Sequence, residues 1–285
     1  MLSPQVILRE LSVRHPEVAA SAGSQPRYAL QHLNLQIKQG EQIALIGPSG
    51  AGKTTLLHTL ALAHQPASGK VLLNAVDMWQ LTHRQRHQQR RTLCLAPQTP
   101  PLPARQRVVT TVLAGRLPHW SLRQAVRNLI RPVDPAAAYA ALSRFHLQDK
   151  LYARVDQLSG GERQRCALAR LLLSDASLLL VDEPLSALDP TLAQQTLLTL
   201  KEEAHNRNAT LICSLHQVEL ARTHFDRIIG LRDGQILFDS RQVGDDMIEA
   251  LYQNTGSAPS LVQASKTWAS DNAAAKPLPD STRCF

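Results

Sequence analysis

The chain has 285 residues and a formal net charge of +8. This length is enough for one large domain or two modest ones with a sizeable hydrophobic core. The sequence has no run of about 18 apolar residues, and its amino terminus has no basic segment followed by an apolar one, so neither a transmembrane helix nor a secretory signal is expected. The four cysteines lack C-x-x-C spacing, and Cys94, Cys166 and Cys213 lie in apolar runs, so neither disulfides nor zinc is predicted.

The first strands of the chain are short and separated by turn residues. Residues 6–11 predict a strand, residues 14–27 a loop, and residues 33–37 a half-buried strand in which apolar and polar residues alternate. A turn at residues 38–41 leads into residues 43–46, which form a wholly apolar strand. Two edge-type strands before a buried one predict a small antiparallel sheet attached to a larger core.

A glycine-rich loop follows this buried strand. Residues 47–54 fit the pattern G-x-x-x-x-G-K-[ST], and residues 56–63 are predicted to be helical. The glycines let backbone N–H groups turn inward and the helix amino terminus adds a positive dipole end, so the loop is predicted to bind a nucleoside triphosphate. Lys53 is expected to reach the β- and γ-phosphates, and the Thr54 hydroxyl to complete a Mg²⁺ shell. The predicted ATP-binding residues of the loop are Gly47, Pro48, Ser49, Gly50, Ala51, Gly52, Lys53, Thr54 and Thr55.

The middle of the chain is predicted to change from strands to helices at a proline-rich segment. The prolines of residues 96–103 exclude regular structure, and we place a boundary there. From about residue 104 to 157 the chain is expected to be helical, with one helix over residues 108–117 and another that Asp134 caps. Two further strands are predicted before the boundary, at residues 69–73 and 92–95.

The positive charge of the chain is concentrated in one stretch. Residues 78–133 contain ten arginines, no lysine and no aspartate or glutamate. Such a surface could meet anionic lipid headgroups or an acidic partner, or it could be solvated without a partner. A nucleic-acid surface is the competing interpretation, but the arginines are not interleaved with a series of aromatic residues for base stacking, since the stretch has only Trp79 and Trp120, so no nucleic-acid partner is expected.

Two buried strands in the second half each lead to polar residues. Residues 177–181 are wholly apolar, as in a parallel strand that is covered on both faces, and Asp182 and Glu183 follow them. Next to a phosphate loop, Asp182 can hold Mg²⁺ directly or through water, and Glu183 is placed to polarise a water for attack on the γ-phosphate. A second buried strand, at residues 209–214, ends shortly before His216.

The remaining elements complete an α/β pattern. Residues 158–173 and 190–205 predict helices, and Asp233-Gly234 predicts a hairpin between strands at residues 226–231 and 235–238. Alternating strands and helices predict an α/β domain with a largely parallel sheet. From Asn254 onward no apolar periodicity is present, and roughly the last thirty residues are expected to form a mobile tail.

Several of these segments resemble the motifs of one family. Residues 158–164 read Leu-Ser-Gly-Gly-Glu-Arg-Gln and resemble the signature sequence of ABC-transporter ATPases. Gln98 resembles the Q-loop glutamine of that family, residues 186–189 its D-loop and His216 its switch histidine. The resemblance covers about residues 5–245 and implies a P-loop NTPase fold of the α/β class, with a mostly parallel core sheet, an N-terminal antiparallel β subdomain and an inserted α-helical subdomain. The implied division is a nucleotide-binding core at residues 1–95 and 174–245, the helical subdomain at 96–173, and a C-terminal helix and tail at 246–285.

The resemblance also implies a head-to-tail homodimer, in which each ATP lies between the phosphate loop of one chain and the signature of the other. The start of the signature helix favours an anion. Asp189 is expected at the dimer interface. The expected catalytic residues are Glu183, His216 and Gln98, and the expected Mg²⁺ ligands are Thr54, Gln98 and Asp182. The residues expected to contact the ATP of the partner subunit are Leu158, Ser159, Gly160, Gly161, Glu162 and Gln164.

The adenine contact is the least defined part of the predicted site. The family usually offers an aromatic residue ahead of the phosphate loop, between the first two strands. Counting back gives either His15 or Tyr28, and we favour Tyr28 because its ring is the better stacking surface.

Within the family, the chain is most similar to the phosphonate-import ATPases, at residues 112–121, 215–221, 237–239 and 249–254. This similarity implies an ATP-hydrolysing importer subunit for phosphonate or a related phosphorus oxyanion, on the cytoplasmic side of the inner membrane. The implied partners are two integral-membrane permease subunits and a periplasmic or lipid-anchored solute-binding protein. Two alternatives stay open: an ABC-like ATPase of a soluble phosphonate-degrading complex, and an importer ATPase for another small solute.

Overall fold

The computed structural model describes residues 4–15 and 28–253. Most of the predicted loop at residues 14–27 and the predicted tail from residue 254 lie outside the described residues. The described residues up to Leu251 belong to one compact unit, and only residues 252 and 253 are described of the unit that follows. None of the helices in the described part of the chain has the length and hydropathy needed to cross a bilayer.

The structure contains two sheets and the helices that surround them. In chain order the strands are β1 (Pro4–Arg14), β2 (Tyr28–Lys38), β3 (Gln42–Ile46), β4 (Ser68–Leu73), β5 (Val76–Asp77), β6 (Leu93–Ala96), β7 (Leu178–Asp182), β8 (Thr210–Ser214), β9 (Arg227–Arg232) and β10 (Gln235–Ser240). The helices are α1 (Lys53–Leu60), α2 (His83–Gln89), α3 (Val108–Leu113), α4 (Leu122–Ile130), α5 (Pro135–Ser143), α6 (Gly160–Leu172), α7 (Pro190–Asn206), α8 (Val218–His224) and α9 (Asp245–Tyr252).

The first sheet is antiparallel and has the strand order β2-β1-β4-β5. Its inward side chains alternate along β2, where Leu33, Leu35 and Ile37 are buried and the intervening residues are more exposed. These side chains belong to the same hydrophobic core as α1 and the second sheet. The half-buried strand that the alternation predicted is therefore present, in a small antiparallel sheet that packs on the core.

The second sheet has the strand order β10-β9-β3-β8-β7-β6. Neighbouring strands from β9 to β6 are parallel, and only the edge strand β10 is antiparallel, which it owes to the tight turn at Asp233-Gly234. Every residue of β7 and β8 is buried, as expected for strands covered on both faces. Because the carboxyl ends of parallel strands share one edge, the residues that follow β3, β7 and β8 come together there.

The helical region differs from the prediction at one point. The expected single helix over residues 108–117 ends at Leu113, and a 3-10 segment, Ala114–His119, follows it. Gly115 lies so close to α6 that an added Cβ would be 2.1 Å from the carbonyl oxygen of Arg170. Pro118 has no N–H to donate to a continuing α-helix. The close approach and the proline explain why regular helical geometry stops before residue 117.

Helices α2 and α8 and the short strand β5 were not predicted, and α4 lies within the region expected to be helical, although its bounds were not predicted. Helix α2 reads His-Arg-Gln-Arg-His-Gln-Gln and has no apolar periodicity. Both α2 and α4 nevertheless begin with a capping box, Thr82 with Gln85 and Ser121 with Gln124. A Ser/Thr followed three residues later by Gln is visible in the sequence, so this signal would have revealed both helices.

Candidate active site

The phosphate loop joins β3 to α1 at the carboxyl edge of the parallel sheet. Gly52 caps α1 with a φ of 101°, and an added Cβ would be 2.7 Å from the Ala29 carbonyl oxygen, so only glycine fits. The first intrahelical bond runs from the Leu56 N–H to the Gly52 carbonyl oxygen, at 2.8 Å. The N–H groups of residues 53–55 therefore have no partner in the helix, which makes this end of α1 suited to an anion.

Lys53 is curled over the loop that precedes it. Its Nζ donates to the carbonyl oxygens of Gly47, at 2.7 Å, and Pro48, at 3.1 Å. Burial lowers the pKa of the Lys53 ammonium, and the nearby carboxylates of Glu183 and Asp182 act in the opposite direction. The cation thus lies in a partly dry site, where a phosphate would be a stronger partner than the two carbonyl groups.

Asp182 ends β7 and is almost fully buried, with 1% of its surface exposed. Its Oδ1 accepts a hydrogen bond of 2.6 Å from the Ser214 hydroxyl, whereas its Oδ2 has no hydrogen-bond partner within the described residues. A buried carboxylate oxygen without a donor is costly, so the site favours a cation at Oδ2. The Thr54 hydroxyl and the Gln98 amide supply further oxygen atoms at the neighbouring cavity. Oxygen atoms of this kind fit Mg²⁺.

Glu183 is held on both its backbone and its side chain. Its φ is 48°, a conformation that non-glycine residues rarely adopt. The Glu183 N–H donates to the Ser214 hydroxyl at 2.9 Å, and the Glu183 carbonyl oxygen accepts from the Gln164 amide at 2.7 Å. The carboxylate lies between Gln98, whose Nε2 is 2.7 Å from Oε2, and His216, whose Nε2 is 2.5 Å from Oε1. The structure therefore brings the three predicted catalytic side chains together.

These groups line one cavity of about 310 Å³. Residues 49–55 of the phosphate loop form one side, and Gln98, Glu183 and His216 form the other. Ala29 and His15, at the ends of the first two strands, complete the lining. A molecule bound in this cavity would thus lie next to the Lys53 ammonium, the Glu183 carboxylate and the His216 imidazole.

The two candidates for the adenine contact lie at different places. His15 follows directly after β1 and lines the cavity. Tyr28 begins β2, pairs with Arg14 across the antiparallel sheet and is absent from the described lining of the cavity. The geometry thus favours His15, the candidate that the sequence analysis placed second.

The signature segment forms the exposed start of α6. Ser159 is the N-cap: its hydroxyl accepts from the Glu162 N–H at 3.2 Å, and the Glu162 carboxylate accepts from the Ser159 N–H at 2.8 Å. The latter bond lowers the pKa of Glu162. An added Cβ on Gly160 would find no atom within 4 Å, whereas one on Gly161 would be 2.8 Å from the Ala187 carbonyl oxygen. Gly160 is therefore not required by packing within the described chain, but Gly161 is.

The other predicted signature and interface residues take part in contacts within this chain. Leu158 is buried, and the Gln164 amide is bonded to Glu183 as described. Asp189 is exposed and caps α7, where its Oδ1 accepts from the Leu192 N–H at 3.0 Å. None of Leu158, Ser159, Gly160 and Gly161 belongs to the described lining of the phosphate-loop cavity.

The sequence analysis missed the roles of Ser214 and Gln164 in holding Glu183. Ser214 ends β8 directly beside Asp182 in the parallel register, and it bonds both Asp182 and the Glu183 N–H. A serine that ends an otherwise apolar buried strand is a readable signal for such a role. The Gln164 contact depends on how α6 packs against the segment after β7, so it could not be predicted from a local sequence pattern.

Comparisons with known proteins identify the family of this chain. A family model described as "ABC transporter" matches residues 30–186, more than half of the chain. The phosphonates import ATP-binding protein PhnC of a Polaromonas species is 56% identical over 86% of this chain and 88% of its own. A protein of the same name, PhnC 2, from Albidiferax ferrireducens is 55% identical over 87% of this chain and 89% of its own.

Solved structures show the same fold. A dimeric post-hydrolysis structure of the ATP-binding cassette MJ0796 with ADP and Pi has a TM-score of 0.70 and is 26% identical, covering 84% of this chain and 99% of that one. A nucleotide-free ATP-binding cassette from an ABC transporter has a TM-score of 0.68 at 18% identity. The fold class predicted from the motifs is therefore confirmed, and the chain belongs to the ABC transporter family.

Proposed function

We propose that this chain is the ATP-hydrolysing subunit of an importer for phosphonate or a related phosphorus oxyanion. The cavity in which Glu183, Gln98 and His216 face the phosphate loop carries the assignment of ATP hydrolysis. The assignment of the cargo is supported by relatives at 55–56% identity that are named as phosphonates import proteins. Transport and cargo are thus proposed from sequence similarity to these relatives, and ATP hydrolysis is proposed from the geometry of the site.

The chemistry follows from the groups that line the cavity. The phosphates of ATP replace the carbonyl oxygens of Gly47 and Pro48 as partners of the Lys53 ammonium, and the first N–H groups of α1 bind the phosphate oxygens. Glu183 accepts a hydrogen bond from the attacking water and orients it towards the γ-phosphate. His216 is placed to bind the γ-phosphate and to hold the Glu183 carboxylate in position, at 2.5 Å.

Asp182, Thr54 and Gln98 would hold Mg²⁺, directly or through water. When bound, the ion neutralises charge on the phosphates. The support for this ion is the buried Asp182 Oδ2, which has no partner within the described residues. Ser214 fixes the other oxygen of the same carboxylate, so the free oxygen has one defined direction from which to bind.

The second half of the site comes from another copy of the chain. Ser159 and Gly160 form an exposed helix start, and they lie outside the described lining of the phosphate-loop cavity. A head-to-tail homodimer would place this helix start against the ATP of the partner subunit. The dimeric form of the cassette MJ0796 supports this arrangement. Asp189, exposed at the start of α7, is the proposed interface residue.

The proposed assembly is peripheral to the cytoplasmic side of the inner membrane. Two copies of this chain would dock on two integral-membrane permease subunits, served by a periplasmic or lipid-anchored solute-binding protein. No helix in the described residues spans the membrane, so the cargo path in this proposal belongs to the permease subunits.

Growth of the native host tests the proposed function. The host, with this chain intact or carrying Lys53→Ala, is grown on a phosphonate, on phosphite or on phosphate as the sole phosphorus source. Selective loss of growth of the variant on a phosphonate or phosphite is expected, together with co-purification of membrane permease subunits. Co-purification with soluble enzymes instead would favour the degradation complex. Unchanged growth on all three, with no redundant importer present, would contradict the cargo assignment.

A further inference from the structure

Helix α4 packs onto the protein through its polar side. The Asn128 side chain is 3% exposed, donates to the Thr110 carbonyl oxygen at 3.3 Å and accepts from the Val133 N–H at 3.3 Å. An amphipathic surface helix ordinarily turns its apolar stripe to the core. In α4 the stripe is turned to solvent instead, with exposed fractions of 80% at Leu122, 47% at Val126, 62% at Leu129 and 83% at Ile130.

Three arginines accompany this apolar stripe. At about 100° per residue, the four apolar residues fall within an arc of roughly 100°, and Arg123 and Arg127 lie along one edge of it. Arg131 ends the helix. Within residues 4–15 and 28–253, no hydrogen bond or ion pair engages these guanidinium groups, in contrast to Arg116, which is paired with Asp134 at 2.9 Å. Their charge is available to an outside anion.

The stripe does not lie in a groove. The surface hollow at this face is lined by α4 and its end alone, with the residues Leu122, Arg123, Val126, Arg127, Ile130 and Arg131. A peptide helix that docks on a protein generally enters a groove between two elements. A single exposed helix with an apolar stripe and an arginine edge instead has the form of helices that lie in a membrane interface.

We propose that α4 binds the surface of an anionic lipid bilayer. The apolar stripe of α4 enters the boundary between headgroups and acyl chains, and the arginines bind lipid phosphates while their methylene stems cover apolar surface. The one-sided charge of residues 78–133, with ten arginines and no acidic residue, favours a diffuse anionic surface over a partner with a few acidic side chains. This contact goes beyond the proposed function, because ATP hydrolysis and permease docking do not require lipid.

Co-sedimentation of the purified full chain with lipid vesicles tests the inference. Vesicles of phosphatidylcholine alone are compared with equal mixtures of phosphatidylcholine and phosphatidylglycerol. Two variants of α4 are used: Leu122→Ser with Ile130→Ser, and Arg123→Gln with Arg127→Gln and Arg131→Gln. The charge-matched control replaces Arg9, Lys70 and Arg241 with Gln, because these exposed basic residues lie outside residues 78–133 and the substitution removes the same charge.

The intact chain is expected to sediment with the anionic vesicles and not with the neutral ones. Loss of the three α4 arginines should weaken binding on the order of 100-fold, since each basic residue contributes about fivefold near such a surface. The serine variant should also lose binding, and the charge-matched control should retain most of it. Two outcomes would overturn the proposal: absence of binding by the intact chain, which would point to a protein as occupant, or equal weakening by the control. Circular dichroism of each variant confirms that it is folded, and neither outcome bears on ATP hydrolysis.

Discussion

The helix starts of α1 and α6 both contain glycine, and they differ in what surrounds them. At α1, Lys53 and the carboxylates of Asp182 and Glu183 converge on one cavity. At α6, Ser159 and Gly160 are exposed and satisfied only by the local capping box with Glu162. The first start has the groups needed for phosphate chemistry. The second offers backbone N–H groups and the Ser159 hydroxyl, and the Glu162 carboxylate of its capping box is paired with Lys150 at 3.6 Å. We propose that the second start binds a phosphate of the ATP held by another copy of the chain.

The largest effect is expected at the first start, from Lys53→Met. Without the ammonium, ATP affinity should fall about 100-fold and hydrolysis about 1,000-fold, because a charge-assisted contact to the phosphates is lost. The fold should not be weakened, since burial already disfavours the charged lysine. Isothermal titration with ATP and a phosphate-release assay measure the two losses, with Lys70→Met, at an exposed strand position, as the control.

Lys53 is also expected to make the free energy of unfolding depend on pH. The pKa of Lys53 is lowered in the fold, so the unfolded chain binds this proton more tightly and the contribution of Lys53 to stability rises with pH. The rise falls between the lowered pKa and the ordinary value of 10.5. Denaturant unfolding across this alkaline range should therefore show a steeper gain for the intact chain than for Lys53→Met. Equal pH slopes would show that Lys53 is not desolvated.

Asp182→Asn should lower the Mg²⁺-dependent rate of ATP hydrolysis without lowering the stability of the fold. Asn keeps the shape of the side chain but removes the buried charge at Oδ2, so stability without Mg²⁺ should be unchanged or raised. Hydrolysis should fall on the order of 100-fold, and the Mg²⁺ concentration for half-maximal rate should rise. Thermal melting and a Mg²⁺ titration of the ATPase rate measure the two effects. An unaltered Mg²⁺ dependence would remove Asp182 from the site.

Gly160→Ala tests the second helix start. No atom lies within 4 Å of the added Cβ, so stability and ATP binding by the single chain should be retained. The methyl group would stand where the partner's phosphate approaches, so hydrolysis should fall about tenfold or more. Gly161→Ala is the matched contrast, because its Cβ clashes with the Ala187 carbonyl oxygen at 2.8 Å and should lower the melting temperature. Full activity of Gly160→Ala would argue against the shared site.

The smallest effect is expected at the adenine contact. His15→Ala should weaken ATP binding about fivefold through lost stacking, whereas Tyr28→Ala should leave it near the wild-type value. Competition with a fluorescent nucleotide measures both affinities. A larger loss of affinity in Tyr28→Ala than in His15→Ala would make Tyr28 the adenine contact, as favoured from the sequence.

Prediction from sequence succeeded where local pattern and chemistry coincide. The phosphate loop, the buried strand ending at Asp182 and the Asp233-Gly234 hairpin each occupy a continuous segment with its own physical signal. The predicted helix over residues 108–117 is an α-helix only as far as Leu113 and continues as a 3-10 segment. The close approach of Gly115 to α6 is a tertiary contact that a local pattern does not show. It favoured Tyr28 over His15 because aromatic character is visible in a sequence, but the register of β1 and β2 decides which residue reaches the cavity.

The orientation of α4 also could not be predicted from local sequence pattern. The sequence of α4 is amphipathic, so its periodicity shows which residues form the apolar stripe. The periodicity does not show whether that stripe or the opposite face packs against the rest of the protein. The buried Asn128 decides that side through its bonds to Thr110 and Val133. The capping box of Ser121 and Gln124 was available to predict the helix itself, and it was overlooked.

In the proposed mechanism, two copies of the chain share each ATP and Glu183 directs its hydrolysis. Size-exclusion chromatography with light scattering of Glu183→Gln, with saturating ATP and Mg²⁺, tests it most directly. Gln keeps the size of the side chain, but one of the two oxygens that face Gln98 and His216 becomes an amide nitrogen. The amide cannot accept the proton of the water. The account predicts an ATP-dependent dimer with hydrolysis abolished, and loss of that dimer when Gly160→Ala is added. A variant that stays monomeric and hydrolyses ATP at the wild-type rate would contradict both parts of the claim.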